Sequence, residues 1–156
     1  MRIEDYGHTL SGMRASAIVD APPATPGKDA PVLEYKMYIF NPGNTEVTAI
    51  FSPTLNFMPG RDLRYAISFD DQPPVITTLV PGKYNAQNGN SDWERSVRDN
   101  ARSSITKHSI ASAGYHTLKI WLVDPGPVLQ KIIVNTGGLK PSYLGPPESY
   151  YNTLPV

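Results

Sequence analysis

The sequence predicts an all-β fold, an antiparallel two-layer β-sandwich of the jelly-roll type with one short helix near residues 91–99. Short stretches of the chain alternate apolar and polar residues with a period of two, as half-buried strands do. The 16 prolines lie between these stretches, where a missing N–H does not interrupt a strand ladder. Long helical segments between the strands, which a parallel sheet requires, are absent. A chain of 156 residues fits one domain.

The first half of the chain predicts five strands. Turn residues at positions 41–44 indicate a hairpin between the second and third of them, and the Pro-rich stretch 20–31 is typical of an exposed loop. Alternation in the second strand places Leu33, Tyr35, Met37 and Ile39 on one face, with Tyr38 and Phe40 on the other. The predicted strands cover residues 13–19, 32–40, 46–53, 63–69 and 75–80.

The period changes after the polar loop 81–90. Ser91 and Glu94 fit a capping box in which Ser91 caps the helix, and Trp93 and Val97 have the i, i+4 spacing of a short helix. Three further strands follow, over residues 104–110, 116–123 and 128–135. The last two are apolar on both faces, so we expect them at the centres of their sheets.

The chain is expected to divide into a sandwich over residues 1–139 and an arm over residues 140–156. The arm is too rich in proline for a central strand. We predict that it is extended and packs on the sandwich. The apolar patterns around Trp93 and Trp121 predict that both indoles anchor the core.

Composition excludes several classes of function. The 14 basic residues balance the 14 acidic ones, so no overall field attracts nucleic acid or an anionic membrane surface. The lack of cysteine rules out disulfides and thiolate nucleophiles. No apolar run approaches the ~20 residues of a membrane span, and no export signal is recognisable in the chain. We expect no nucleic acid, membrane or cofactor as partner.

The acidic residues do not form a recognisable catalytic pair. Asp70 and Asp71 are adjacent, whereas glycosidases place two carboxylates ~5–9.5 Å apart on either side of a bond. A polar hairpin turn explains them more simply, although they also supply the beginning of a calcium site that nothing completes. Asp124, before Pro-Gly, is either a binding-loop acid or a residue that organises its turn.

The remaining catalytic and metal-binding motifs are also missing. His8, His108 and His116 lack metal-ligand spacing, and His116 is expected to bond to backbone or solvent. No Gly-x-Ser-x-Gly motif is present. We therefore predict no catalytic residue and no metal site.

Three arginines are candidates for contact with an acidic partner. Arg95, Arg98 and Arg102 have i, i+3, i+7 spacing and would share one face of a longer helix. Guanidinium groups bind carboxylates in two-pronged fashion, so a uronate or an acidic neighbouring domain fits such a face. The alternative is an ordinary solvated helix face.

Tyrosines of the arm and the polar loop are the second set of contact candidates. Tyr143 and Tyr150 lie in the arm, and Tyr84 lies in the polar loop. Aromatic faces bury the apolar faces of pyranose rings, so these side chains are candidates for carbohydrate contact. They would alternatively attach the arm to the sandwich or dock onto another domain.

Several stretches in a fixed order carry a family resemblance that covers nearly the whole chain. The matching residues are 6–12, 33–35, 52–57, 59–60, 63–70, 72–74, then Trp93, Val97 and Asn100, and finally 116–119, 121–126 and 142–149. Together they resemble the C-terminal β-sandwich domain of glycoside hydrolase family 115, whose members are xylan α-glucuronidases.

The resemblance implies a non-catalytic accessory module whose partners are the catalytic domains of a secreted or periplasmic parent enzyme. A free-standing module that binds glucuronoxylan-type polysaccharide is the alternative. The family domain opens with a strand that this sequence does not show, so an unpaired sheet edge is expected. We accordingly expect some dimerisation or edge pairing.

Overall fold

The computed structural model describes residues 1–4, 11–15, 20–58 and 60–150. Two antiparallel sheets face one another, which confirms the predicted sandwich. The five-stranded sheet has the order β1-β2-β9-β4-β7, and the four-stranded sheet has the order β3-β8-β5-β6. The elements are β1 Arg2–Glu4, β2 Ser11–Met13, β3 Val32–Ile39, β4 Gly43–Phe51, β5 Leu63–Phe69, β6 Val75–Val80, α1 Ser91–Arg98, β7 Arg102–Ile110, β8 Gly114–Leu122 and β9 Leu129–Asn135.

The core lies between the two sheets and is built by alternate residues of each strand. Val47, Ala49 and Phe51 of β4 face it from the five-stranded sheet, and Tyr65 and Ile67 of β5 face it from the other. The rings of Phe51 and Tyr65 are 5.0 Å apart, and both side chains are fully buried. Burial of each large apolar side chain contributes roughly 1.5–3 kcal/mol, so these central strands hold the layers together.

The predicted hairpin between β3 and β4 is wrong. β3 pairs with β8, whereas β4 pairs with β7 and β9. The turn between them carries the chain from one sheet to the other, and Gly43 supports the change of direction with a φ of 119°. The connection from β7 to β8 crosses in the same way and ends at Gly114, whose φ is 140°. Positive φ at both points favours glycine.

These crossovers lie side by side, because Ile39 pairs with Gly114 in one sheet and Gly43 pairs with Ile110 in the other. The β5–β6 turn joins them, since the Asp70 N–H donates to the Thr117 carbonyl at 2.8 Å. We call this the turn end, formed by residues 40–42, 70–74 and 111–113. The opposite loop end is formed by residues 20–31, 52–62, 81–101 and 123–128, with residue 59 outside the description.

The two strands predicted to be central are central. β8 lies between β3 and β5, and β9 lies between β2 and β4. Trp121 of β8 is buried, with 6% of its surface exposed, but it packs with Ala66 and Val123 in a small separate cluster. Trp121 is therefore buried as predicted, but it does not lie in the core between the two sheets.

The helix begins differently from the prediction. Asn90 is the N-cap, and its Oδ1 accepts from the backbone N–H groups of Asp92 and Trp93 at 3.1 and 3.4 Å. Glu94 reaches back to the Gly89 N–H at 2.8 Å. The capping interaction is thus shifted by one residue, because the asparagine amide oxygen is as effective at this position as a serine hydroxyl.

The helix also buries less than predicted. α1 has eight residues and lies at the loop end, where Ser96 is its one buried residue. Trp93 is half-buried and belongs to no core cluster among the described residues, and Val97 is 51% exposed. The prediction of Trp93 as a core anchor is therefore wrong, since a two-turn helix at the end of the sandwich does not reach between the sheets.

The arm crosses the outer face of the five-stranded sheet. Leu144 packs against Ile50, Ala101 and Ile133, all of which are buried. The Lys131 ammonium donates to the Pro146 carbonyl. The structure describes the arm as far as residue 150, and residues 151–156 lie outside the description. Among the described residues, no helix combines the length and apolar character required to cross a membrane.

Candidate functional site

The sandwich carries most of its predicted contact residues around α1, where a polar network secures the loop end. The Tyr84 hydroxyl donates to Asp92 Oδ2 at 2.8 Å and accepts from Arg102 Nη1 at 2.9 Å. Arg102 also pairs with Asp92 at 2.7 Å and donates to the Leu79 carbonyl at 2.7 Å. Its guanidinium lies 4.6 Å from the centre of the Tyr84 ring. Both the ring and the hydroxyl of Tyr84 are therefore engaged inside the module.

Burial and charge act in opposite directions on this network. Burial raises the pKa of Tyr84, and the hydrogen bond from Arg102 lowers it by less. Burial also acts to raise the pKa of Asp92, but the hydrogen bond from Tyr84 and the charge of Arg102 outweigh it, so the pKa is lowered. Asp92 therefore remains a carboxylate that holds the helix against β7.

Arg102 lies on β7 and not on the helix, so the predicted face of three arginines is wrong. The helix ends at Arg98 because Asp99 is its C-cap and Asn100 adopts a φ of 46°. The segment that follows enters the five-stranded sheet. Arg102, at the start of this segment, turns back towards Asp92, and only 11% of its side chain is exposed.

Arg95 and Arg98 remain at the surface. Arg95 pairs with Asp92 at 3.1 Å with 65% of its side chain exposed, and Arg98 pairs with Asp99 at 2.8 Å with 73% exposed. The hydrogen bond to Asp99 raises the pKa of Arg98, with a smaller contribution from Tyr143. Tyr143 of the arm therefore lies within electrostatic range of Arg98.

We call Arg95, Arg98 and Tyr143 the helix patch. Tyr143 is 74% exposed, and the two guanidinium groups keep donors that can reach another molecule. Tyr84 is tied into the network behind the patch. Tyr150, the last described residue, is fully exposed and has no polar or ring contact to the patch in the described part of the chain.

Asp124 is fully buried at the loop end. Its carboxylate accepts from the Arg64 N–H at 3.0 Å and from Arg64 Nε at 2.8 Å, and Arg61 Nε lies 3.3 Å away. The hydrogen bond with Asp124 raises the pKa of Arg64. Of the two interpretations of the Asp-Pro-Gly sequence, the geometry favours an organiser of the loop, because a fully buried carboxylate cannot contact a ligand in solvent.

Asp70 and Asp71 diverge at the turn end. Asp70 binds the ring of His116 at 2.7 Å and the Thr117 N–H at 2.8 Å. Asp71 is fully exposed and lies 3.6 Å from the ammonium group of Lys119. The two carboxylates therefore do not face a common bond, in agreement with the interpretation of this segment as a turn.

His116 bonds to a carboxylate as well as to backbone, which corrects the simpler prediction. Its Nδ1 faces Asp70 and its Nε2 lies 2.9 Å from the Ser112 carbonyl. Neither acceptor carries a hydrogen, so both ring nitrogens must donate, and only the imidazolium satisfies both bonds. The bond to Asp70 raises the pKa of His116 accordingly.

His108 has the opposite environment. It is buried beside the Phe69 ring and bonds to the Thr106 hydroxyl at 2.8 Å, and burial lowers its pKa. His8 lies outside the described residues. In the described segments, no group of three or more His, Cys, Asp or Glu side chains converges on a possible metal position.

Two cavities open on the sandwich near the N-terminal strands. One has a volume of about 340 Å³ and is lined mainly by apolar residues, including Met13, Leu33 and Ile120. The other, of about 460 Å³, includes Leu55 and Phe57. Neither contains a carboxylate or a histidine among its described lining residues. An acid–base pair for bond cleavage is therefore not found there.

The structure also shows an exposed aromatic group that the sequence interpretation missed. Tyr38 contacts both Phe40 and Tyr115, with ring centres 4.8 and 5.1 Å apart. We call these three residues the aromatic corner. Alternation had placed Tyr38 and Phe40 on one face, but Tyr115 joins them only through the register of β3 with β8.

Comparison with known proteins places this architecture in a family. The model of the glycosyl hydrolase family 115 C-terminal domain matches residues 1–148. Among solved structures, the chain is similar to a family GH115 4-O-methyl-alpha-glucuronidase with specificity for decorated arabinogalactans, at 16% identity and a TM-score of 0.61. That alignment covers 86% of this chain and 16% of the glucuronidase, so the chain spans about a sixth of that enzyme's length.

A second similar structure is a family 35 carbohydrate binding module from Clostridium thermocellum. It aligns at 13% identity with a TM-score of 0.54, over 86% of this chain and 85% of the module. At such identities the two solved structures establish the fold alone. No curated protein sequence is significantly similar to the chain.

Proposed function

Because this chain belongs to the glycosyl hydrolase family 115 C-terminal domain family, we propose that it is a non-catalytic accessory module that docks on the catalytic domains of its parent enzyme. The observation that supports this most is the use of its ionisable groups. Asp124 and Asp92 hold arginines, and Asp70 holds His116. These bonds serve the fold, and they leave the described cavities without an acid–base pair.

The helix patch is the proposed docking surface. Arg95 and Arg98 present guanidinium groups at the surface, and Tyr143 adds a ring that is 74% exposed. Guanidinium groups form paired hydrogen bonds with carboxylates, and tyrosine and arginine often supply much of the binding energy at interfaces. An acidic surface on a neighbouring domain is the partner that fits this combination.

The parent enzyme provides the test of docking. Replacement of Arg95 and Arg98 by glutamine, together with Tyr143→Ser, should loosen the module in the full-length enzyme and expose its boundary to limited proteolysis. Lys28→Gln and Lys83→Gln, two exposed cations elsewhere, serve as matched controls. Cleavage rates that are equal in the triple variant and the control would contradict the proposed surface.

The absence of catalysis is tested separately. The isolated chain should release no glucuronic acid from aldouronic acids, because we assign bond cleavage to other domains. Measurable turnover that copurifies with the chain through successive columns would overturn the non-catalytic assignment.

The parent enzyme is proposed to be an α-glucuronidase that acts on glucuronoxylan outside the cytoplasm, as a secreted or periplasmic protein. Support comes from the family membership and from the glucuronidase to which the chain is similar. Gene sequence upstream of Met1 should encode a long catalytic region and an export signal.

Pairing between sheet edges of two copies is also proposed, and a strictly monomeric species in light scattering at high concentration would contradict it.

Carbohydrate binding by the module itself is a second candidate function. The observation that favours it is the exposure of aromatic side chains, since Phe40, Tyr115 and Tyr143 each expose more than 70% of their surface. Such rings can bury the apolar faces of sugars. Isothermal titration with xylan fragments should detect binding in the millimolar range, and the absence of heat would exclude this candidate.

A further inference from the structure

The aromatic corner lies on the outer face of the four-stranded sheet, whereas the helix patch includes the arm that crosses the other sheet. Tyr38, Phe40 and Tyr115 have exposed fractions of 48%, 78% and 84%. Tyr38 and Tyr115 are directly opposite each other on β3 and β8. Both backbones belong to paired strands, so the two rings are presented by a rigid support.

The geometry of the rings limits what can bind them. The planes of Tyr38 and Tyr115 are at 89°, and those of Tyr38 and Phe40 are at 56°. A flat platform for an extended polysaccharide ribbon would require nearly coplanar rings. At these angles one ring can stack on a sugar face while another packs against the edge of the sugar, and we call this arrangement of the rings the notch.

The size of the corner also argues against a protein partner. Each aromatic side chain offers about 150–250 Å², and part of the Tyr38 surface is already covered. A stable dimer buries about 800 Å² on each partner. Three rings fall well short of that area, but they suffice for one or two sugar residues.

A free cation adjoins the notch. Lys36 lies two residues before Tyr38 on the same face of β3, so the Cα atoms of Lys36 and Tyr38 are about 7 Å apart. On the neighbouring strand β8, Lys36 is opposite Thr117. Its side chain is exposed. In the part of the chain that the structure describes, no acid lies within ion-pair distance of it, whereas Lys119 on the same face is paired with Asp71.

We propose that the aromatic corner and Lys36 form a binding site for a pyranose residue that carries a carboxylate, such as a uronic acid branch. The rings bind the apolar face of the sugar, and the ammonium group binds its carboxylate. This inference rests on the second candidate function, carbohydrate binding, and assigns that function to a different face from the helix patch.

The test compares two ligands and two sets of variants of the whole chain by isothermal titration. The ligands are an aldouronic acid oligosaccharide and the same oligosaccharide with its carboxyl group reduced to an alcohol. Tyr115→Ser and Phe40→Ser should each weaken binding of the acid by about tenfold, which corresponds to the loss of about 1.4 kcal/mol. Ile105→Ser, which replaces an exposed apolar residue on β7 of the other sheet, is the matched control and should leave binding unchanged. Tyr143→Ser tests the helix patch as the alternative binding surface.

Charge is tested with Lys36→Gln and the control Lys83→Gln. The wild-type chain should bind the acid about two- to fivefold more tightly than the reduced sugar, as expected for an exposed ion pair. Lys36→Gln should abolish this preference, and Lys83→Gln should retain it. Unfolding temperatures verify that the variants are folded, and the high exposure of Phe40 and Tyr115 makes both replacements mild.

Three other outcomes would each overturn part or all of the proposal. Loss of binding in Tyr143→Ser, with binding retained in Tyr115→Ser and Phe40→Ser, would overturn the proposed site while carbohydrate binding survives. Equal affinity for both ligands in wild type and Lys36→Gln would overturn the assignment of an acidic sugar. No binding of either ligand by the wild-type chain would overturn both the site and the second candidate function.

Discussion

The two ends of the sandwich are held in different ways. At the turn end, short turns cross between the sheets, and the Asp70–His116 pair lies at the surface with 45% of the aspartate side chain exposed. At the loop end, longer segments converge on Asp124, which is fully buried between Arg61 and Arg64. Neighbouring strands already hold the short turns. The long loops lack such support. They are fixed instead by buried ion pairs, in which the loss of one partner would leave an unpaired charge in the interior.

The largest effect is expected from Asp124→Asn. The change leaves Arg61 and Arg64 without their buried carboxylate, so we expect a loss of about 3–5 kcal/mol in the free energy of unfolding, measured by urea denaturation. Asp71→Asn is the matched control, because Asp71 is fully exposed, and it should change stability by less than about 0.5 kcal/mol. Similar stabilities for the two variants would remove the distinction between the ends.

Arg102→Gln should have the next largest effect. Arg102 bonds to Asp92, Tyr84 and the Leu79 carbonyl with little exposure, so its loss should cost about 2–3 kcal/mol in urea denaturation. Arg95→Gln removes an exposed guanidinium from the same aspartate and should cost under about 0.5 kcal/mol. If Arg95→Gln were equally destabilising, the buried network would not be what secures the loop end.

A smaller effect is expected at the helix start. Asn90→Ala removes the side chain that accepts from two backbone N–H groups, and we expect a loss of about 1 kcal/mol. Ser91→Ala distinguishes the observed cap from the one predicted by the capping-box pattern, since it should be nearly neutral. Thermal and urea unfolding of both variants provide the measurement, and a larger loss in Ser91→Ala would reverse the assignment.

The smallest effect is expected at the turn end and depends on pH. The pKa of His116 is raised in the folded state by its bond to Asp70. The pair therefore contributes fully below the unfolded value of about 6.5, and its contribution is lost as pH rises through the folded pKa. His116→Gln should remove this decline, which we expect to be under about 1 kcal/mol because the pair is partly exposed.

Measurement of His116→Gln should be confined to pH values above about 6.5. Below that value, His108 contributes a dependence of opposite sign, because burial lowers its pKa and stability is lost as pH falls. An unchanged decline in His116→Gln above pH 6.5 would show that another group titrates there. A decline larger than the effect of Asp124→Asn would contradict the comparison of the two ends.

Local pattern located β3 to β9 and was insufficient for their partners. β1 was not predicted, and the strand predicted over residues 13–19 overlaps β2 only at Met13, with residues 16–19 outside the described part of the chain. Alternation located β3, β5, β8 and β9, and apolar residues on both faces of the last two placed them at sheet centres. The false hairpin between β3 and β4 had every local sign of a turn. Turn residues reverse or redirect a chain equally well, so the turn sequence does not reveal whether the next strand joins the same sheet.

The candidate site shows the same division. The positions of Arg95 and Arg98 on a helix followed from spacing, but Arg102 left that face when the helix ended at Asp99. The placement of Asp124 beside Arg64 depends on contacts between residues 60 positions apart, and no local pattern signals such a pair. The aromatic corner likewise needed the pairing of β3 with β8 to bring Tyr115 beside Tyr38.

Amino-acid order alone established the alternating strands, the balance of charge and the ordered motifs of the family, because each depends on residues close together or on simple counts. Folding in three dimensions established the sheet to which each strand belongs, the burial of Asp124 and the convergence of the exposed rings. Those features arise from pairings between distant segments, whose free energy depends on the whole core and not on any one stretch of chain.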